Sequence, residues 1–365
     1  VSSIGDVILA TSCIQLLKSV LPNATITWLG SNPSLSLIKE SYPEIRAIEF
    51  NKKININETL TQVSHLDFII DLQRSYHSIK FCFNFRNKFN KNTYVMKKHY
   101  IGRQLEVIKS KILGRSVEPK QEKPKYLQLE LMVNSLYEAL KKEFPKQHYP
   151  SSPPPSLPYL PLQPHWSIKP TWYRELESGI WLSIAPGASY VSKKTPTEIL
   201  THIIDHSTST ASSLISQNTT SLGLLFLGDK NDREKVNETI RSMNYRGKIL
   251  NLSGELSLKD TALALSKCCA LLGNDSGLCH IAEAMGIPTA VLFGATSEKF
   301  GFGPHLKDSQ AFSAPLGCRP CSKHGKTPCR YNDMKCYYML PYKSIHDFLV
   351  KKICDRVPES SFAKK

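Results

Sequence analysis

Apolar positions along the chain follow two alternating rhythms. Val7 to Leu21, VILATSCIQLLKSVL, is apolar at helical spacing and stops before Pro22-Asn23. ATITWLG (24–30) alternates as a strand and runs into Gly30, and SLSLIKESYP then reads as a helix that Pro43 ends. IRAIEF and DFIIDLQ read as strands, the second apolar enough to be central and buried. Helices are predicted near 74–85, 101–113 and 127–144. The same alternation returns further on. Strands are predicted at GIWLSIAP (179–186), LGLLFLG (222–228), GKILNLS (247–253), CALLG (269–273) and PTAVLFG (288–294), with helices near 196–206, 230–242, 257–267 and 277–286. Strand and helix in turn are what a parallel, doubly wound α/β sheet requires.

Between the two series lie eight prolines from Pro150 to Pro170. Such a stretch is stiff and extended, and it marks the boundary between two α/β halves, residues 1–160 and 161–341. Ligands of open α/β sheets bind outside the carboxyl ends of the strands, so a cleft faced by both halves is expected. The last helix, YKSIHDFLVKKIC (342–354), is expected to cross back onto the first half. The chain enters a loop-like VSSIGD at Val1, and a further strand of the first sheet is expected upstream of it.

Composition narrows the function. Hydrophobic residues make up 41% and charged residues 21%, as in soluble globular proteins. No apolar run reaches the length of a membrane-spanning helix, and no secretory signal pattern opens the chain. The formal net charge is +16, and thirteen Lys or Arg against three Glu fall between Lys80 and Lys125. That surface suits an anionic membrane face or a phosphorylated glycolipid, with a merely solvated basic face as the plain alternative. No RNP, zinc-finger or helix-turn-helix pattern accompanies the charge, which argues against nucleic acid. Six of the ten cysteines lie in apolar contexts, so a reducing, cytoplasmic setting is expected.

Five segments can carry chemistry. GNDSGLCHIAEAMG begins at Gly273 and sets Asn274, Asp275, Ser276 and Gly277 at the mouth of a helix, with His280 one turn further in. Unpaired first-turn N–H groups and the helix dipole attract phosphate there, and Gly277 permits close backbone approach. The plain alternative is a capped helix with a core histidine. In IAPGASYVSKKTP (184–196), Gly187, Ala188 and Ser189 leave room at a strand end, and Lys193 or Lys194 could neutralise a phosphate. In SSIGDVILAT (2–11), Ser3 and Gly5 read as a flexible turn and Asp6 as the cap of a helix from Val7, or as a general base. Asp229 and Asp232 follow a strand end, where acidic groups often hold ribose hydroxyls. Cys318, Cys321, Cys329 and Cys336 could form a zinc site with His324 as an alternative ligand, although reduced structural cysteines are the favoured reading.

Together SSIGDVILAT, WLGSNPSLSLI, DFIIDLQ, PGASYVSKKTP, NLSGELSL, GNDSGLCHIAEAMGIPTAVLFGAT and CRPC resemble glycosyltransferase family 9, the ADP-heptose:lipopolysaccharide heptosyltransferases, with CRPC closer to the heptosyltransferase II branch. The resemblance implies a GT-B fold of two Rossmann-like domains and inverting transfer of L-glycero-D-manno-heptose from ADP-heptose to inner-core lipopolysaccharide. It implies Asp6 as base and Ser3 and Gly5 near the acceptor. Toward the donor it implies Gly187, Ser189, Lys193, Asp275, Ser276, Gly277 and His280, with Asp232 on the ribose and 254–257 beside adenine. Ala188 stands where some members carry threonine. No cofactor or metal is implied for the chemical step, and peripheral contact with the cytoplasmic face of the inner membrane is. Another nucleotide-sugar GT-B transferase, or a non-catalytic binding member, are the competing readings.

Overall fold

A computed structural model describes residues 3–50, 55–96, 100–114, 128–163, 166, 170–215 and 221–357. The chain divides into two units, Val1–His99 with Tyr126–Gln163, and Tyr100–Lys125 with Pro164–Lys365.

In the first unit, α1 (Ile4–Val20), β1 (Thr27–Gly30), α2 (Ser34–Ser41), β2 (Arg46–Glu49), α3 (Ile56–Gln62), β3 (Phe68–Asp71), α4 (Tyr76–Phe89) and β4 (Asn92–Val95) follow in order. The intervening α5 (Tyr100–Leu113) belongs to the second unit, and α6 (Gln128–Glu143) returns to the first. β1 pairs with β2 and β3 with β4, both parallel. Ile48, Leu60, Val63, Phe81 and Phe85 form a core against this layer, and α1 packs on α6. The proline-rich stretch is tied to this unit. Thr11 Oγ1 accepts from the Tyr159 amide at 3.0 Å, Gln163 Nε2 donates to the Ser41 carbonyl at 2.6 Å, and the Tyr42 hydroxyl donates to the Tyr159 carbonyl.

The second unit continues with α7 (Thr171–Leu176), β5 (Ile180–Ala185), α8 (Thr197–Leu214), β6 (Leu222–Phe226), α9 (Arg233–Ser242), β7 (Lys248–Asn251), α10 (Leu258–Leu265), β8 (Cys268–Asn274), α11 (Gly277–Ala284), β9 (Thr289–Phe293), β10 (Gln310–Ser313), α12 (Lys335–Tyr338) and α13 (Tyr342–Cys354). Its six strands form one parallel sheet in the order β7-β6-β5-β8-β9-β10. Every residue of β5, β6, β8 and β9 is buried, which is why these strands read as continuous apolar runs rather than alternating ones. The chain enters at β5, winds outward to β7, then crosses back to β8 and winds the other way. That order puts a topological switch point between β5 and β8, where Ala185 pairs with Gly273.

Two expectations change here. α13 does not present its apolar stripe to the first half: Ile345, Leu349 and Ile353 are fully buried in the core of the second unit, where the helix packs on α8 and β8. Residues 100–114, expected in the first half, group with the second. On α5, Ser110 Oγ donates to the Pro320 carbonyl at 2.7 Å and Arg330 Nη1 donates to the Lys111 carbonyl at 3.1 Å, and these contacts hold the helix to that unit.

Candidate donor-binding site

The switch point is built from the ends of β5 and β8. Asn274, 1% exposed, joins them: its Nδ2 donates to the Pro186 carbonyl at 2.7 Å, while its Oδ1 accepts from the Thr195 hydroxyl at 2.6 Å and the Thr195 amide at 3.3 Å. A buried amide whose oxygen and nitrogen are both hydrogen-bonded fixes two loops at once. One is the loop after β5, which carries Lys193 in a single 3-10 turn, Val191–Lys193. The other is the turn from β8 into α11, which carries Asp275 and Ser276.

Those loops meet in an ion pair. Lys193 Nζ lies 2.8 Å from Asp275 Oδ2, and both side chains are 15% exposed. The same Asp275 oxygen accepts from the Thr296 hydroxyl at 2.7 Å. The stem of Lys193 runs against Gly325, whose φ is +81° and where a Cβ would sit 2.5 Å from Lys193 Cγ. Only glycine fits both that backbone and that approach. Ser276 caps α11, and its buried hydroxyl has no hydrogen-bond partner among the described residues. Gly277 opens the helix, half-buried, with its first-turn N–H groups directed outward along the axis. A cation, a helix N-terminus and a buried hydroxyl are the groups that can attract an anion.

A second ion pair lies beside the first. Lys194 Nζ is 3.0 Å from Asp232 Oδ1, and Asp232 Oδ2 accepts from the Asp229 amide at 3.2 Å. A Cβ on Gly187 would fall 2.0 Å from the Asp232 carboxylate. The missing side chain at Gly187 therefore makes room for the Asp232 carboxylate. Asp232 is 8% exposed and occupied by these contacts. Ser189 is exposed in the same loop. Ser257 caps α10, and the Gly254 amide donates to the Gly228 carbonyl at 2.9 Å, which brings 254–257 to the end of β6.

His280 is buried in the first turn of α11, and one of its ring nitrogens lies within 4.8 Å of one ligand atom each of Glu283 and His305. Cys318, Cys321, Cys329 and Cys336 line one cavity of about 30 Å³ with Arg319 and Arg330, and all four are free thiols. No three of their sulfurs lie within 4.8 Å of one another. Burial pushes the Cys336 thiol up to about 12.

In the first unit, α1 starts three residues earlier than its apolar pattern suggests. Ser3 is the N-cap, its hydroxyl accepting from the Asp6 amide at 3.1 Å and donating to Asp6 Oδ2 at 2.6 Å. Asp6 is thus the third helical residue and half-exposed, and Gly5 lies inside the first turn rather than in a flexible loop. Sequence reasoning missed Thr296, Gly325 and Arg319. Arg319 donates to the carbonyls of Gly294, Ala314 and Thr296 at 2.6, 2.9 and 3.0 Å and so frames the loop that carries Thr296. Thr296 ends the GNDSGLCHIAEAMGIPTAVLFGAT segment and Arg319 lies within CRPC, yet no local pattern gives either of them, or Gly325, a role; tertiary packing brings them to the site.

Comparison with known proteins bears on these residues. The chain is 33% identical over 79 residues to lipopolysaccharide heptosyltransferase 2 of Salmonella typhimurium, a match covering 21% of this chain and 23% of that protein. It is 26% identical over 328 residues to lipooligosaccharide heptosyltransferase 2 of Haemophilus influenzae, covering 84% of each. Its fold is that of the solved E. coli ADP-heptose lps heptosyltransferase II, with a TM-score of 0.64, 15% identity and 97% of both chains covered. The architecture is accordingly of the GT-B class. Residues 181–331, which hold the whole switch-point site, match the model of glycosyltransferase family 9 (heptosyltransferase).

Proposed function

We propose that the protein transfers L-glycero-D-manno-heptose from ADP-heptose to an inner-core sugar of lipopolysaccharide, with inversion at the anomeric carbon. The observation that carries this reading is the Lys193–Asp275–Thr296 constellation beside the N-terminus of α11, at the switch point of the sheet. The leaving pyrophosphate develops charge as the glycosidic bond breaks. Lys193, held in place by Asp275, and the N–H groups at Ser276 and Gly277 can meet that charge without reorganising. Asp275 keeps a second oxygen for a heptose hydroxyl. Asp232, through Lys194, fixes the loop instead of holding the ribose alone.

Asp6 is the proposed base. It takes the proton of the acceptor hydroxyl as that oxygen forms the new bond to the anomeric carbon, and ADP departs from the opposite face. Ser3 and Gly5 border it on the same turn.

We further propose action at the cytoplasmic membrane face. No helix among the described residues is long and apolar enough to cross a membrane. On α5, Leu105, Ile108 and Ile112 are 58%, 52% and 81% exposed at i, i+3 and i+7, on a helix that also carries Arg103, Lys109 and Lys111. That is the composition of an interfacial helix on an anionic surface. Much of the basic stretch expected to serve this role, including 97–99 and 115–127, lies outside the described residues.

The test is a transfer assay with ADP-heptose and heptose-deficient lipopolysaccharide, run beside UDP- and GDP-sugars. Wild type should use ADP-heptose alone. Asp6→Asn should keep ADP binding by calorimetry and lose about 10²–10⁴-fold in turnover. Unchanged turnover removes Asp6 as base, and preference for another donor overturns the substrate assignment.

A further inference from the structure

On the face of α11 that its N-terminal turn does not use, three ligating side chains converge. His280 and Glu283 are three residues apart and so share one side of the helix. His305 comes from the segment between β9 and β10. One ligating atom from each lies within 4.8 Å of the other two, and among the described residues no other three such groups converge this way.

The carboxylate is oriented for coordination. Glu283 Oε1 accepts from the His305 and Leu306 amides, both at 3.0 Å, which turns Oε2 toward the His305 ring, 2.9 Å from Nδ1. The side chains of Glu283 and His305 are each 1% exposed. Glu283 Oε2 and both ring nitrogens of His305 make no hydrogen bond of ordinary geometry with any described residue. Polar atoms this deeply buried normally have partners, and when they do not, a water or an ion is the usual explanation.

We propose that His280, Glu283 and His305 bind a divalent cation of the zinc type, which clasps the segment around His305 onto α11. Two imidazoles and one carboxylate are a familiar zinc donor set, and backbone donors on the far carboxylate oxygen supply the outer support such sites need. The ion is structural: it ties a connecting segment to the helix whose opposite end lies at the switch point, and it does not touch the Lys193–Asp275 pair.

The experiment uses the full chain, stripped with chelator and titrated with Co²⁺ or Zn²⁺. Wild type should take up about one equivalent, show visible ligand-field bands without a thiolate-to-cobalt charge-transfer band, and melt at higher temperature when Zn²⁺ is present. His280→Gln and His305→Asn should each lose the metal, while a Cys318→Ser/Cys321→Ser variant should keep it. A thiolate band, or loss of metal in the cysteine variant, moves the ion to the cysteine cavity and overturns the proposal. So does wild-type protein with a native circular dichroism spectrum that binds neither cation, a result independent of whether any variant folds.

Discussion

Lys193 and Asp275 are each nearly buried, and each is the other's principal neutralising partner. Removing one leaves an unpaired charge in a partly desolvated site, so single substitutions should overstate the value of the pair. Lys193→Ala is expected to weaken ADP binding by about 10–100-fold, the range for one charge-assisted hydrogen bond, measured by calorimetry. Asp275→Ala should weaken it too, by freeing Lys193 from its position; intact affinity in both variants would remove the pair from the site. A second prediction at this scale concerns the thiols. Burial resists ionisation of Cys329, but backbone N–H groups of Tyr331, Asp333, Met334 and Asn332 bring its pKa below the ordinary thiol value, while Cys336 and the deeply buried Cys13 and Cys269 are pushed up to about 12. Iodoacetamide reacts with thiolates, so as pH is raised from neutrality Cys329 should be alkylated before those three. Peptide mapping that finds Cys336 modified first would contradict this ordering.

Helix ends and helix faces are where local pattern and tertiary context part company. The Ser3–Asp6 pair is a reciprocal cap, and Ser3→Ala should cost about 1 kcal/mol while also releasing the Asp6 carboxylate. Both ends of α11 are likewise visible in sequence, from the Asn-Asp-Ser-Gly turn to Gly286, whose φ of +77° follows the last turn. Faces are less legible. α5 reads as an ordinary amphipathic helix, yet Leu105, Ile108 and Ile112 point away from the unit it belongs to. Leu105→Ser with Ile112→Ser should reduce co-sedimentation with phosphatidylglycerol vesicles and leave phosphatidylcholine, which wild type should bind weakly, unaffected. Equal binding by wild type and variant would take α5 out of the membrane contact. α3, β4, α12 and β10 escaped the pattern reading, for they are four to seven residues long and carry too few apolar positions to establish a period.

For the whole molecule, the sheet order of the second unit matters most, because it creates the switch point that brings residues 186–195 beside 274–276. The final helix is part of that unit's core. Leu349 is fully buried within it, so Leu349→Ala should destabilise the second unit by about 2–5 kcal/mol, seen as a lower denaturant midpoint and faster amide exchange in β5 and β8. Had the helix served only as a strap across the first unit, exchange in those strands would not change.

Sequence alone determined the alternation of strand and helix, the positions of the buried strands of the second unit, and the turn that opens α11, whereas DFIIDLQ, read as central and buried, is half-exposed over Phe68–Ile70 and pairs with β4 in a two-stranded sheet among the described residues. Each depends on residues close together in the chain, through side-chain period and backbone preference. It also brought Lys193 and Asp275 under suspicion, though not as a pair. The tertiary structure decided their pairing, the occupation of the space at Gly187 by Asp232, the recruitment of Thr296 and Gly325, and the unit to which α5 and α13 belong. Those outcomes depend on groups distant in sequence that meet only when β5 and β8 lie side by side, and no local period encodes which distant groups will meet.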